Sequence, residues 1–333
     1  MTPKTSNDVT LLRELQATAA KIRAELATRI IGQQQVIDDL LACFFAQGHC
    51  LLIGVPGLAK TMLVQSLAQC LHCSFNRIQF TPDLMPADIT GSEILYEDRA
   101  ASVREFRFVK GPVFSNIVLA DEINRTPPKT QSALLQAMQE KQVTSNGTTW
   151  PLPQPFYVLA TQNPIEQEGT YPLPEAQLDR FMFSIIIAYP SHDEELLIAR
   201  STSAHQSAPM QQVAGVEQLM AYSDLVWRMP VTDALVQAAV AITRATRPHE
   251  ALCPQEVREL ITWGAGVRAS QYLVLAAKSF AALDGRPTPD LNDLKRAAPL
   301  VLRHRIVRSF HAEVAGKSAA DIIEPIVNQI LGK

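Results

Sequence analysis

The sequence predicts an α/β core, a parallel sheet sandwiched by helices, followed by a small all-α domain. Three observations carry that expectation. The apolar runs Leu51-Leu52-Ile53, Ile117-Val118-Leu119-Ala120 and Phe156-Tyr157-Val158-Leu159-Ala160 each lead into glycine or polar residues, as strands buried on both faces do. A glycine-bearing turn, Gly54-Val55-Pro56-Gly57-Leu58-Ala59-Lys60-Thr61, joins the first run to a helical segment. After Pro190 a capped helix leads into Ser201–Gly215, polar and small like a linker, and beyond it the chain reads as helical throughout, with Leu273, Ala276, Ala277 and Phe280 at helical spacing.

Leu12, Leu15, Ala19, Ile22 and Leu26 predict an amphipathic first helix, and Ile31-Gly32-Gln33 precedes a second built on Val36, Ile37, Leu40 and Leu41. The turn at 54–61 follows the pattern G-x-x-x-x-G-K-[ST], with Ala59 in place of the last glycine. Such a turn supplies backbone N–H donors, a helix N-terminus and a cation, which together suit a triphosphate. Lys60 would reach the β- and γ-phosphates, and the Thr61 hydroxyl would hold Mg²⁺. The helix from Lys60 ends in Cys70-Leu71-His72-Cys73. A lone C-x-x-C with one histidine has too few ligands for a closed zinc site. Cys43, Cys50 and Cys253 lie in apolar stretches and read as core residues.

After a loop at Phe80–Pro86, Ser92–Tyr96 and Arg104–Val109 predict two strands about a polar turn of Glu97, Asp98 and Arg99. The next apolar run ends in Asp121-Glu122, at the strand end where open α/β sheets put ligands. Asp121 is expected to bind Mg²⁺ and Glu122 to activate the attacking water. Gln142–Trp150 predicts a second hairpin turning at Asn146-Gly147. The third run leads into Thr161-Gln162-Asn163-Pro164, where an amide could orient the water or read the γ-phosphate. Pro174–Phe181 predicts a short helix, with Arg180 near its end, running into a strand at Phe183–Ala188. Ser191–Glu194 is a capping box. The rest is expected as helices at Asp233–Thr246 (capped by Thr232), Glu256–Trp263, Val267–Leu283, from Asp290, and Asp321–Ile330. The expected division is core 1–200, linker 201–230 and lid 231–333.

The 333 residues suit about two domains, and 47% hydrophobic content is ample for a core. A net charge of −3 provides no basic footprint for nucleic acid. Met1–Ser6 lacks the apolar core of a signal peptide, and no run approaches about 18 apolar residues. A cytoplasmic protein with no direct membrane insertion is expected.

Read together, Gly54–Thr61, Asp121-Glu122-Ile123-Asn124-Arg125, Pro127-Pro128-Lys129-Thr130-Gln131, Ala160–Pro164, Pro174–Phe181 and Gly264-Ala265-Gly266-Val267-Arg268-Ala269 resemble the MoxR family of AAA+ ATPases, in order along nearly the whole chain. That family also places alanine where Ala59 stands. Gly266-Val267 departs from its commoner Ser-Pro, and Thr126 from its commoner alanine. The resemblance implies an AAA+ core with Lys60 and Thr61 as the Walker A pair and Asp121 and Glu122 as the Walker B pair. It makes Asn163 sensor 1, Arg180 an arginine finger acting on the neighbouring subunit's ATP, and Arg268 sensor 2, reaching the γ-phosphate from the lid. Gly54 through Met62 would line the phosphates, and Ile31 and Gly32 would pack on adenine. It further implies ATP and Mg²⁺ as cofactors, a homo-oligomeric ring (a hexamer), and a pore-directed first hairpin at Ser92–Val109. The partner would be a client or adaptor, such as a von Willebrand factor A-type domain protein, remodelled or matured by metal or cofactor insertion. Alternatives are the motor subunit of a metal chelatase, a nucleic-acid motor, or a non-hydrolysing scaffold.

Overall fold

The computed structural model describes residues 5–98, 103–166, 168–201 and 209–332. The strands of the core are β1 (Cys50–Ile53), β2 (Phe75–Gln79), β3 (Gly91–Asp98), β4 (Val103–Lys110), β5 (Ile117–Asp121), β6 (Gln142–Ser145), β7 (Thr148–Pro151), β8 (Tyr157–Gln162) and β9 (Phe183–Ile186). Five of them form one parallel sheet in the order β2-β5-β8-β1-β9. Because the pairing is parallel throughout, β1, β5 and β8 all end on one edge, which brings Gly54, Asp121-Glu122 and Asn163 into one neighbourhood.

The side-chain period of two sorts each strand between two apolar layers. Leu52, Ile117, Leu119, Tyr157 and Leu159 pack beneath the helices Thr5–Leu26, Gln34–Phe45 and Lys60–Cys70. Leu51, Val118, Ala120, Val158 and Ala160 face the opposite layer, with Leu134, Leu135 and Met138 of the helix Pro128–Glu140. With both faces covered, the strands read as unbroken apolar runs.

The hairpins β3–β4 and β6–β7 stand off this sheet. In the second, Asn146 (φ 47°) and Gly147 (φ 81°) form a two-residue turn with both φ positive, as hairpin twist favours. Phe108 stacks on Trp150 at 5.1 Å, and Asn146 Nδ2 donates to Glu93 at 2.8 Å, so the hairpins touch. The turn expected at Glu97–Arg99 lies partly outside the described residues.

The C-terminal part consists of the helices Asp233–Ala245, Val267–Leu283, Leu291–Leu302 and Ala319–Leu331, with shorter ones between. It seats directly on the core: Phe280 stacks on Phe183 at 6.1 Å, and Ser279 Oγ donates to Ala42 O at 2.7 Å.

Three expectations are corrected. Residues 216–228, assigned to the linker, form a 13-residue helix that buries Leu219, Tyr222, Leu225 and Val226. The Tyr222 hydroxyl lies 2.9 Å from that of Thr18, which ties this helix to the first one. Part of the remaining linker stretch lies outside the described residues. Glu256–Trp263 is not one helix: a turn at Gln255–Arg258 gives way to β10 (Ile261–Trp263), paired antiparallel with β11 (Val307–Arg308). Ile261, Thr262 and Trp263 are β-branched or aromatic and favour this state. The strand expected at Phe183–Ala188 ends at Ile186.

Among the described residues, no single helix is long and apolar enough to cross a membrane.

Candidate nucleotide-binding site

The turn after β1 wraps from Gly54 to the start of the helix at Lys60. Gly54 is buried, and a Cβ there would stand 3.0 Å from Ile187 O, so the approach to β9 needs a bare backbone. Gly57 (φ 87°) and Ala59 (φ 55°) both lie in the left-handed region. Glycine adopts it freely; Ala59 carries a strain of roughly 1 kcal/mol there. Pro56 and Gly57 are exposed, Leu58 is buried, Val55 and Thr61 are half-buried, and Met62 points outward.

The Lys60 ammonium turns back on its own loop, donating to the Gly54 and Val55 carbonyls. Partial burial holds its pKa below the usual lysine value, against the opposing pull of Asp121, Glu122 and Glu166. Those three carboxylates therefore surround it electrostatically. Ile31-Gly32-Gln33 also reaches this loop: Gln33 Nε2 donates to Leu58 O at 3.3 Å. Gly32 (φ 72°) lies against the Glu194 carboxylate, too close for a Cβ. Beside it a cavity of about 450 Å³ is lined by Ile30, Ile31, Gly32, Ile37 and Leu197.

At the tip of β5, Asp121 is buried. Its Oδ1 accepts from the Thr161 hydroxyl at 2.5 Å and its Oδ2 from Arg77 at 2.6 and 3.0 Å. Glu122 takes a left-handed conformation (φ 58°). Its N–H donates to Thr161 Oγ1, and its Oε2 accepts from Gln79 at 2.7 Å. The same oxygen lies 3.1 Å from Arg125, which also pairs with Glu166 at 2.6 Å. The guanidinium holds the Glu166 carboxyl below its usual range. Asn163 is buried at the tip of β8. Its Oδ1 accepts from Ile165 N at 3.3 Å, while its Nδ2 has no hydrogen bond of good geometry among the described residues.

Arg180 and Arg268 stand together elsewhere. Arg180 donates to the Leu135 carbonyl, and its own carbonyl lies 3.4 Å from the Tyr272 hydroxyl. Arg268 was expected to reach a phosphate from the lid. Its ion pair runs to Asp179 at 2.8 Å, and among the described residues no bond of Arg180 or Arg268 runs to the Gly54–Thr61 turn.

Sequence reasoning left Arg77, Gln79, Thr161, Glu166 and Arg305 without roles. Arg77 and Gln79 alternate along β2 beside β5, a period-two polar pair that could have been noticed. Arg305 pairs with Asp179 from 126 residues away, and no local signal marks it. Cys70 and Cys73 have thiols pushed up to about 12 by burial, which disfavours the thiolate.

Residues 49–183 match the family model described as ATPase family associated with various cellular activities (AAA), and residues 255–326 match the AAA lid domain. Fold and matches together define an AAA-type ATPase core with its lid. The chain is 43% identical over 310 residues to the chaperone MoxR1 of Mycobacterium tuberculosis (92% of this chain, 79% of that one). It is 41% identical over 302 residues to YeaC of Bacillus subtilis (90% of each). A crystal structure of a candidate ATPase from Cytophaga hutchinsonii superposes with a TM-score of 0.89 at 39% identity, covering 96% of both chains. The chain belongs to the MoxR family of AAA+ ATPases.

Proposed function

We propose that this chain binds and hydrolyses ATP with Mg²⁺ between the subunits of a ring, a hexamer, and uses the cycle to remodel or mature a partner protein. The observation that carries this reading is the meeting of Lys60, Asp121, Glu122 and Asn163 at one edge of the parallel sheet, where the 11-residue helix from Lys60 begins. Lys60 exchanges its loop carbonyls for the β- and γ-phosphates, and the loop and helix N–H groups bind the same oxygens. Asn163, buried at the tip of β8 beside Glu166, orients the water or the γ-phosphate. Glu122 takes the water's proton. Thr61 and Asp121 fit Mg²⁺: the carboxylate is buried, already desolvated, and held by partners that a dication could replace. Mg²⁺ there would neutralise charge developing on the phosphates. Arg180 supplies a cation to the neighbouring subunit's phosphate, and Arg268, beside it, serves the same cleft.

The client is a protein, and the name of the mycobacterial relative supports a chaperone role. A von Willebrand factor A-type domain protein is our choice of adaptor, and the cytoplasm our choice of compartment. The exposed Leu95 and Phe106 of the β3–β4 hairpin suit client contact. A chelatase motor would use the same hairpin; stimulation of metal insertion into a tetrapyrrole would favour that second reading.

The deciding experiment is Glu122→Gln. It preserves size and hydrogen bonding but cannot take a proton, so turnover falls about 10²–10⁴-fold while ATP still binds in calorimetry. Wild-type turnover would remove Glu122 from the chemistry.

A further inference from the structure

Thr161 stands two residues before Asn163 on β8 and has no part in the roles above. Ala160, just before it, pairs with Ala120 of β5 in the parallel ladder, so Thr161 lies level with Asp121. Leu119 and Leu159 face one apolar layer, and Ala120 and Ala160 the other. The period of two therefore returns Asp121 and Thr161 to the face covered by the helix from Lys60. Thr161 is 1% exposed there.

Its hydroxyl has two partners, whose chemistry fixes the direction of each bond. The Glu122 N–H can only donate, and does so to Thr161 Oγ1 at 2.8 Å. The hydroxyl proton then goes to Asp121 Oδ1, which accepts it at 2.5 Å. Arg77 holds the other Asp121 oxygen at 2.6 and 3.0 Å, so the anchor of the hydroxyl is itself anchored. Glu122, at the far end of this chain of bonds, has φ 58° and ψ 48°. An L residue is strained in that left-handed conformation, and such outliers persist where their surroundings over-determine them. At Glu122 two bonds do so. Thr161 holds its N–H, and its carbonyl accepts from Arg125 N at 2.9 Å.

We propose that Thr161 is the positioning residue for Glu122: its hydroxyl holds the strained backbone from which the carboxylate reaches the water. This rests on reading Glu122 as the base. The Glu122 side chain is 25% exposed, and its contacts with Arg125 and Gln79 are open to exchange with water. Thr161 acts instead on the main chain, and from a buried place. Without the hydroxyl, the Glu122 N–H and Asp121 Oδ1 lose their shared partner and the strained turn is free to relax. A misplacement of about 1 Å at a reacting group can slow a reaction about 10²-fold. The Lys60 loop is held by none of these bonds, so nucleotide affinity is spared.

The test compares two pairs in which the hydroxyl is what changes: the parent with Thr161→Val, and Thr161→Ser with Thr161→Ala. kcat is measured at saturating ATP and Mg²⁺, and ATP affinity by calorimetry. The hydroxyl-free member of each pair turns over about 10- to 100-fold more slowly than its counterpart. Affinities agree within about threefold, so the loss falls on kcat. A residue that only packs would rank by shape, with Thr161→Val like the parent and both smaller variants impaired. That ranking overturns the proposal, as does an equal kcat within both pairs, or a loss that falls on affinity. With Glu122→Gln inactive, any of these leaves the ATPase reading standing. The double variant gives an independent check: added to Glu122→Gln, Thr161→Val lowers the remaining rate by less than about threefold, because both act through one group. A further loss as large as in the parent means that Thr161 acts elsewhere. Full turnover in Glu122→Gln alone removes the base, and the proposal with it. Should Thr161→Val fail to fold, the Thr161→Ser and Thr161→Ala pair carries the same comparison.

Discussion

Two clusters of charge on this chain obey different rules. At the tips of β5 and β8, Lys60 rests on loop carbonyls, Asp121 on Arg77 and Thr161, and Glu122 shares Arg125 with Glu166. Partners are shared, several side chains are partly exposed, and each bond can be exchanged for another. Around Asp179 the arrangement is fixed. The side chain of Arg305 is only 2% exposed. It donates to the Asp179 carboxylate at 2.8 Å and to the carbonyls of Asp179, Phe181, Met182 and Val301. All five guanidinium protons are thus used, while Arg268 takes the other Asp179 oxygen. The first cluster suits a site whose charge changes during a cycle. The second clamps the C-terminal helices to the segment that carries Arg180.

If that clamp holds Arg180 out towards a neighbour, the two clusters complete each other only across a subunit interface. Mixing Arg180→Ala with Lys60→Ala subunits breaks or sharpens this most strongly. The first binds ATP but offers no finger; the second offers Arg180 but holds no nucleotide. An arginine finger is worth about 10³–10⁵ in rate, so juxtaposed mutants regain measurable ATPase activity. The readout is rate against mixing ratio, in rings shown to exchange subunits. A curve that never exceeds the sum of the two mutants places Arg180 in its own subunit's site or in packing alone.

The clamp itself is open to a stability measurement. Arg305→Met keeps an apolar chain of similar length but removes every donor. It leaves the Asp179 and Met182 carbonyls and one oxygen of the Asp179 carboxylate short of their Arg305 bonds, while the Phe181 carbonyl keeps His304. Breaking a buried pair on one side costs about 3–5 kcal/mol, and the denaturant midpoint should fall accordingly. Arg268→Ala removes a partly exposed partner of the same Asp179 and should cost about 1 kcal/mol or less. Equal losses in the two variants would mean that Arg305 is no more of a clamp than Arg268.

The contrast also explains what the sequence revealed. Strand, turn, Lys60, Asp121-Glu122 and Asn163 are each legible because a parallel sheet delivers short contiguous motifs to one edge. The parallel core and the main lid helices were legible for the same local reason. Arg305 was not, because Asp179, Phe181 and Met182, which take most of its donors, lie more than 120 residues away and nothing beside it in the chain announces burial. The partner of Arg268 was no more legible: its motif was readable, but the carboxylate that it pairs with is contributed by another segment. In the helix at 216–228, Leu219, Tyr222 and Val226 do carry the helical period. Small and polar neighbours upstream made the segment look like linker.

A third contact between core and lid gives the finest test, because it is buried like the clamp yet poorly paired. Asp39 is buried on the helix Gln34–Phe45. It accepts from Gln35 at 2.8 Å, and its lid partner Arg296 stands 3.9 Å away, drawn over the Phe280 ring. Burial pushes its carboxyl from 3.8 up to about 6, and the neighbouring Asp38 adds to this; Gln35, Arg296 and Arg303 offset only part of the rise. With the folded-state value above the unfolded one, Asp39 contributes most below pH 3.8, and the contribution is lost as pH rises through 6. Above that it is a poorly compensated buried charge. Asn mimics the protonated form. Asp39→Asn should therefore be more stable than the parent chain at pH 7.5, by about 1–3 kcal/mol, and the difference should close below pH 4. Melting temperatures of both proteins across pH 3–8 measure it. A variant less stable at pH 7.5 would show that Arg296 and Arg303 hold Asp39 as firmly as Arg305 holds Asp179, and the core–lid contact would then be clamped along its whole length.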